Sequence, residues 1–200
     1  MNYCGMYNWT NDLPRGYNCK EIFLNILDIV KAKPSPKILE VGTFAGTSIT
    51  TIKNIIPHSK CYAIDNWAIE EEELDLCKNS AGDRVNMLEA RDAFLKNTSG
   101  EVTLIENDST VALADLIRSN LMFDFIYVDG SHRILNTLMD VTLSWILLNK
   151  DGILAIDDYT YIPTNNKNDR PQIAVDYFLE KFKGGYKILN KGYRLFLQKI

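Results

Sequence analysis

Short runs that are apolar on both faces alternate with segments of helical period, and this alternation constrains the fold more than any other feature of the chain. The runs are residues 38–41 (Ile-Leu-Glu-Val), 61–64 (Cys-Tyr-Ala-Ile), 102–105 (Val-Thr-Leu-Ile), 123–128 (Phe-Asp-Phe-Ile-Tyr-Val) and 153–156 (Ile-Leu-Ala-Ile). A strand with one wet face alternates apolar and polar residues, whereas a strand covered by helices on both sides does not. Between the runs lie helical stripes. Ile49, Ile52, Ile55 and Ile56 share a face until Pro57; Leu135, Leu138, Val141, Trp145 and Leu148 share another, ended by Asn149-Lys150-Asp151-Gly152. Val175, Phe178, Leu179 and Phe182 form a third, opened by Pro171 and closed by Gly184-Gly185. Ile22, Phe23, Ile26, Leu27 and Val30 make an amphipathic helix before the first run, and a further helix is expected near residues 83–95.

Residues 186–189 and 193–197 flank Asn190-Lys191-Gly192, which reads as a hairpin turn. Five βα units followed by a hairpin predict an α/β protein with a doubly wound, mostly parallel seven-stranded sheet. The expected order is 3-2-1-4-5-7-6, with the last strand antiparallel and helices on both faces. The 200 residues fit one domain, with 1–36 as an N-terminal cap segment and helix and 37–200 as a Rossmann-like core.

Bulk properties narrow the function classes. A chain of this size buries about 70% of its unfolded surface and needs neither disulfides nor a structural metal to fold. Its net charge of −4 and scattered lysines argue against a duplex nucleic-acid partner. Cys4, Cys19, Cys61 and Cys77 show no CxxC pair or zinc spacing, so reduced thiols in a cytoplasmic setting are expected. No apolar run approaches the ~20 residues of a membrane span, and the first residues lack the pattern of a signal peptide. The aromatics Tyr3, Tyr7, Trp9 and Tyr17 suggest either a homodimer contact or the wall of a substrate pocket.

In open α/β sheets, ligands bind outside the carboxyl ends of the strands. Gly42 and Gly46 follow the first strand, where a sharp turn presents backbone amides; the spacing is neither GxGxxG nor a GK[ST] loop. Asp65 ends the second strand, where a carboxylate can accept from both hydroxyls of a ribose or serve as a turn residue. Trp67 is placed either to pack on a nucleoside or to cover the sheet edge. Asp108-Ser109 follows the third strand, as a helix cap or as the reader of a base edge.

Asp129-Gly130-Ser131-His132 and Asp157-Asp158-Tyr159 end the fourth and fifth strands. Adjacent strands bring three carboxylates together, a repulsion that a hard divalent cation such as Mg²⁺ relieves while keeping positions open for substrate oxygens. Hydrogen bonding of each aspartate to loop amides is the alternative. His132, near a helix start, can accept a proton at neutral pH or act as a cap. The polar 161–170 loop follows the fifth strand directly and is a candidate lid.

The segment 40–48, Glu-Val-Gly-Thr-Phe-Ala-Gly-Thr-Ser, resembles motif I of class I S-adenosylmethionine-dependent methyltransferases. The resemblance runs from about residue 18 to 200. It implies that Glu40, Gly42, Thr43, Gly46 and Ser48 bind the cofactor, that Asp65 holds its ribose, and that Asp108 and Ser109 read adenine, with Trp67 counted among the cofactor-binding residues for its place beside the nucleoside. Val-Asp-Gly-Ser-His and Asp-Asp-Tyr resemble the metal-dependent O-methyltransferases of the macrocin type, which act on sugar hydroxyls. That implies a Mg²⁺ site of Asp129, Asp157 and Asp158, His132 as general base, and a small-molecule or sugar hydroxyl as acceptor. Catechol-type relatives carry Asp-Asn where this chain has Asp157-Asp158, and a lysine near His132. An NAD-dependent oxidoreductase and a non-catalytic cofactor-binding assembly protein are the competing readings.

Overall fold

The computed structural model describes residues 19–68, 86–162 and 168–200. Their elements are α1 (Cys19–Lys31), β1 (Lys37–Val41), α2 (Thr47–Ile55), β2 (Lys60–Asp65), α3 (Met87–Thr98), β3 (Val102–Glu106) and α4 (Ser109–Arg118). There follow β4 (Phe123–Val128), α5 (Ile134–Leu147), β5 (Leu148–Ile156), α6 (Pro171–Lys181), β6 (Tyr186–Lys191) and β7 (Leu195–Lys199). The sheet has seven strands in the order β3-β2-β1-β4-β5-β7-β6. β1 to β5 pair in parallel, and β7 runs antiparallel to both β5 and β6. The expected topology is the observed one.

Strand periodicity divides the apolar side chains between two cores. Leu39 and Val41, Ile126 and Val128, Leu154 and Ile156, and Leu195 and Leu197 pack on one face against α4, α5 and α6. Ile38, Phe125, Tyr127, Ile153, Ala155 and Phe196 pack on the other against α1, α2 and α3. Both faces are dry, which is why the strands read as unbroken apolar runs. The Phe23 ring of α1 meets Phe125, Tyr127 and Phe196 edge-on at 5.9–6.3 Å, so α1 covers the central strands.

Three local expectations are corrected. Leu148 is not the last residue of the α5 stripe; it caps the helix in extended geometry and opens β5 opposite Phe123. The register then slips before Phe125 pairs with Ile153, so the polar segment expected to end the helix is a bulge within the strand. Leu135 does not face the core either but is 66% exposed, and α5 instead buries Thr137, Asp140, Val141, Ser144 and Trp145. The hairpin turn is displaced as well. β6 runs on through Asn190 and Lys191, taking up a bulge between Ile188 and Asn190, and the turn is Gly192, Tyr193 and Arg194. The helix expected near 83–95 is α3, whose Asn86 side chain caps the amides of Leu88 and Glu89.

Candidate active site

The sheet's hydrogen bonding continues one residue past the strands. Gly42 N–H reaches Ile64 O at 2.9 Å, Asp129 N–H reaches Val41 O at 2.8 Å, and Asp157 N–H reaches Val128 O at 2.9 Å. The turns after β1, β4 and β5 are therefore tied together at the carboxyl edge. Gly42 has φ +81, and a Cβ built there would lie 2.2 Å from the Asp129 carbonyl oxygen. Its missing side chain makes room for the β4 turn. Gly46, at φ +74, is pressed in turn by the Phe94 ring, 2.7 Å from where its Cβ would be.

Glu40 is fully buried at the base of this turn and accepts a hydrogen bond from the Thr43 hydroxyl. Burial pushes its carboxyl up to about 8; Thr43 and Ser48 act against that rise, and Asp65 adds to it. Asp65 joins two loops: Phe44 N–H donates to its Oδ2 at 2.7 Å and Trp67 N–H to its Oδ1 at 2.8 Å. Each oxygen keeps a lone pair for a further donor. Trp67 is buried, its indole N–H on Phe44 O and its ring edge-on to Phe94, so it covers the sheet edge. Asp108 caps α4 by accepting from Thr110 and Val111 amides, and the Ser109 side chain hydrogen-bonds the carboxyl of Asp140 on α5.

The β4 and β5 turns bring Asp129, His132 and Asp158 together, with one ligand-capable atom of each lying within 4.8 Å of the others. His132 Nε2 is 2.6 Å from Asp158 Oδ2. Burial would raise Asp158, but the bond and charge of His132, with Tyr193 and Arg194, outweigh it and hold the carboxyl below its usual range. Burial, together with the charges of Asp157 and Asp158, pushes Asp129 well up.

Asp157 is placed differently. Its Oδ1 accepts from Arg194 Nε and from the Asp158 amide, both at 2.9 Å, and its Oδ2 accepts from the Tyr127 hydroxyl. Arg194 is held between this carboxylate and the Phe23 ring, 5.9 Å from its centroid. A cavity opens above, lined by Asp129, Ser131, His132, Thr137, Asp158 and Pro171. Its wall is fastened by Thr137 Oγ1 on Ser131 O at 3.0 Å, and by Asp169, which accepts the Ile134 amide at 2.7 Å.

Tyr127, Asp140, Asp169, Tyr193 and Arg194 did not emerge from the sequence. Tyr127 carried one signal, a hydroxyl in an otherwise apolar buried strand that must find a partner. Tyr193 and Arg194 carried none, because the displaced turn hid them. Residues 1–18, including the N-terminal aromatics, and the middle half of the expected lid (163–167) lie outside the described residues.

A mostly parallel sheet in this strand order, with a glycine turn and acidic residues along one carboxyl edge, is the Rossmann-like architecture of the class I methyltransferases. The family described as a methyltransferase domain matches residues 39–159, and the chain belongs to it. The protein is an S-adenosylmethionine-dependent methyltransferase, which removes the NAD-dependent alternative.

No curated protein sequence matches the chain. Among solved structures, it is similar to an O-methyltransferase from Bacillus cereus in complex with S-adenosylhomocysteine. The identity is 14% and the TM-score 0.64, covering 94% of this chain and 84% of that one. It is similar also to the MycE methyltransferase of the mycinamycin biosynthetic pathway, in complex with Mg and S-adenosylhomocysteine (14%, TM-score 0.65). There it covers 96% of this chain but about half, 52%, of MycE. A putative caffeoyl-CoA O-methyltransferase from Staphylococcus aureus is similar at 17% and TM-score 0.60, over 90% of this chain and 81% of that one. Among the described residues no helix is long and apolar enough to cross a membrane.

Proposed function

We propose that the protein transfers a methyl group to a hydroxyl of a small molecule or sugar with the help of a divalent cation, Mg²⁺ being the expected one. The observation that carries this reading is the convergence of Asp129, Asp158 and His132 beside the Gly42 turn. The donor set fits a cation: buried carboxylates repel one another there, and a positive ion relieves that repulsion. Asp129 and Asp158 would hold it. Asp157 would contribute the lone pair left beyond the three hydrogen bonds it already accepts.

When bound, the cofactor supplies a methyl group already activated on a sulfonium, and the cation supplies positive charge beside the acceptor oxygen. The chain's own part is to orient and to move a proton. Asp65, already holding the Phe44 and Trp67 amides, would receive the ribose hydroxyls, the turn of Glu40, Gly42, Thr43, Gly46 and Ser48 would seat the methionine portion, and Trp67 would back the ribose loop. Asp108 and Ser109, at the start of α4, would meet the adenine. His132, held on Asp158 through Nε2, is the ring that would take the acceptor's proton. The buried free thiol of Cys61 supports work in a reducing, cytoplasmic compartment. The similarity to MycE and to the caffeoyl-CoA enzyme supports a small hydroxylated acceptor, and pairing through the N-terminal aromatics would make a homodimer.

The test is methyl transfer to a panel of glycosides and catechols, with and without EDTA. Asp129→Ala should lose cation-dependent turnover while binding S-adenosylhomocysteine with nearly the parent's affinity. His132→Ala should lower kcat by ~10² or more. Full activity of the parent in EDTA would remove the cation from the mechanism.

A further inference from the structure

α5 buries a carboxyl group that the reaction described above does not use. Asp140 is 1% exposed, and its Oδ1 has no hydrogen-bond partner among the described residues. A buried carboxyl without full pairing destabilises a fold, so a purely structural helix seam would favour an apolar residue here. Its two neighbours are informative. One is the side chain of Ser109, the first residue of α4. The other is the backbone of Gly130, where a Cβ would lie 3.1 Å from Asp140 Oδ2. One turn earlier on the same helix, buried Thr137 grips the next residue of that turn through Ser131 O. The polar stripe of α5 therefore touches both the loop after β3 and the loop after β4.

We propose that Asp140 is a positioning residue for the methyl transfer, holding the α4 N-terminus through Ser109 against the 129–132 turn through Gly130. This rests on the methyltransferase reading of the site, in which the first loop meets the adenosine end of the cofactor and the second carries the proton acceptor. A carboxylate suits the task because it accepts from the Ser109 side chain and lies at the positive end of the α4 dipole, whose Thr110 and Val111 amides Asp108 already caps. Thr137 and Asp140 fix adjacent residues of one turn, so that turn has little freedom to slide relative to α4.

The test compares Asp140→Asn, Ser109→Ala and the double variant with the parent. S-adenosylhomocysteine affinity measures the adenosine end, and hydrogen exchange of the amides in 108–112 and 130–133 measures the loops without any ligand. Each single variant should weaken binding by about five- to tenfold, the loss of one charge-assisted hydrogen bond. The double variant should be no weaker than the worse single, because both remove one interaction. Exchange should quicken in both loops while the urea midpoint holds or rises, and kcat should fall more than KM rises. Unchanged exchange in either loop in Asp140→Asn, or additive losses of affinity, would overturn the proposal. If the parent itself fails to bind S-adenosylhomocysteine, the cofactor reading fails, and the exchange data alone then decide whether Asp140 couples the loops.

Discussion

Glu40 lies fully buried in the floor of the glycine turn, and burial sets its titration. Its carboxyl is ordinary in the unfolded chain, near 4.5, and rises to about 8 in the folded one. Below 4.5 both states hold the proton and nothing is lost. Between those values the unfolded chain releases it while the folded chain keeps it, so stability falls as pH rises and the loss is complete above 8. At 1.36 kcal/mol per unit, the shift corresponds to at most about 5 kcal/mol. Urea midpoints at pH 5 and pH 8 should therefore separate widely for the cofactor-free protein, and Glu40→Gln should narrow the gap. An unchanged gap in that variant would mean that Glu40 is ionised at neutral pH.

At the scale of elements, the turns are built by close approach. Gly42 must yield space to the backbone of the β4 turn, Gly46 to a phenyl ring, and Gly100 to nothing within 4 Å, although all three have positive φ. Alanine at Gly100 should cost about 1 kcal/mol from backbone strain alone. Alanine at Gly46 should cost more, with Phe94 shifting. Alanine at Gly42 should exceed about 3 kcal/mol, since a carbonyl 2.2 Å away cannot step aside without moving the β4 turn. Urea unfolding of the three variants checks the ranking. Arg194 is the equivalent point in the hairpin: Arg194→Met leaves Asp157 buried without its ion-pair partner, accepting only from Tyr127 and the Asp158 amide, and should cost about 3–5 kcal/mol, with Asp157→Asn restoring part of it.

These elements also show where sequence reading ended. The strands were legible because both faces are dry, and the acidic ends were legible because each falls at a strand boundary. The hairpin register was not, since a bulge at Leu189 moves the turn by two residues without changing the apolar pattern. With it went Tyr193 and Arg194, whose partners Asp158 and Asp157 lie in the turn after β5. Asp140 was hidden for another reason. A polar residue on the buried side of a helix looks like a surface residue until its neighbours across the seam are known.

At the scale of the whole molecule, the two cores lie on opposite faces of the sheet, and the site lies along the edge that both of them support. Ligand at that edge stabilises everything the sheet connects. S-Adenosylhomocysteine at a hundredfold excess over its Kd should add about 2.7 kcal/mol, and for a chain of this length raise Tm by roughly 5–10 °C. Calorimetry with and without ligand checks this, and a Tm independent of ligand concentration would contradict binding to the folded state.

β7 lies between β5 and β6 although it is made after both, and Arg194 arrives with it. During synthesis, β5 emerges with a bare hydrogen-bonding edge, and Asp157 waits for its cation until the hairpin docks. A nascent chain stalled before residue 194 therefore exposes an adhesive strand edge next to uncompensated negative charge. The late hairpin gives the ribosome-bound chain a window in which aggregation competes with completion of the pocket.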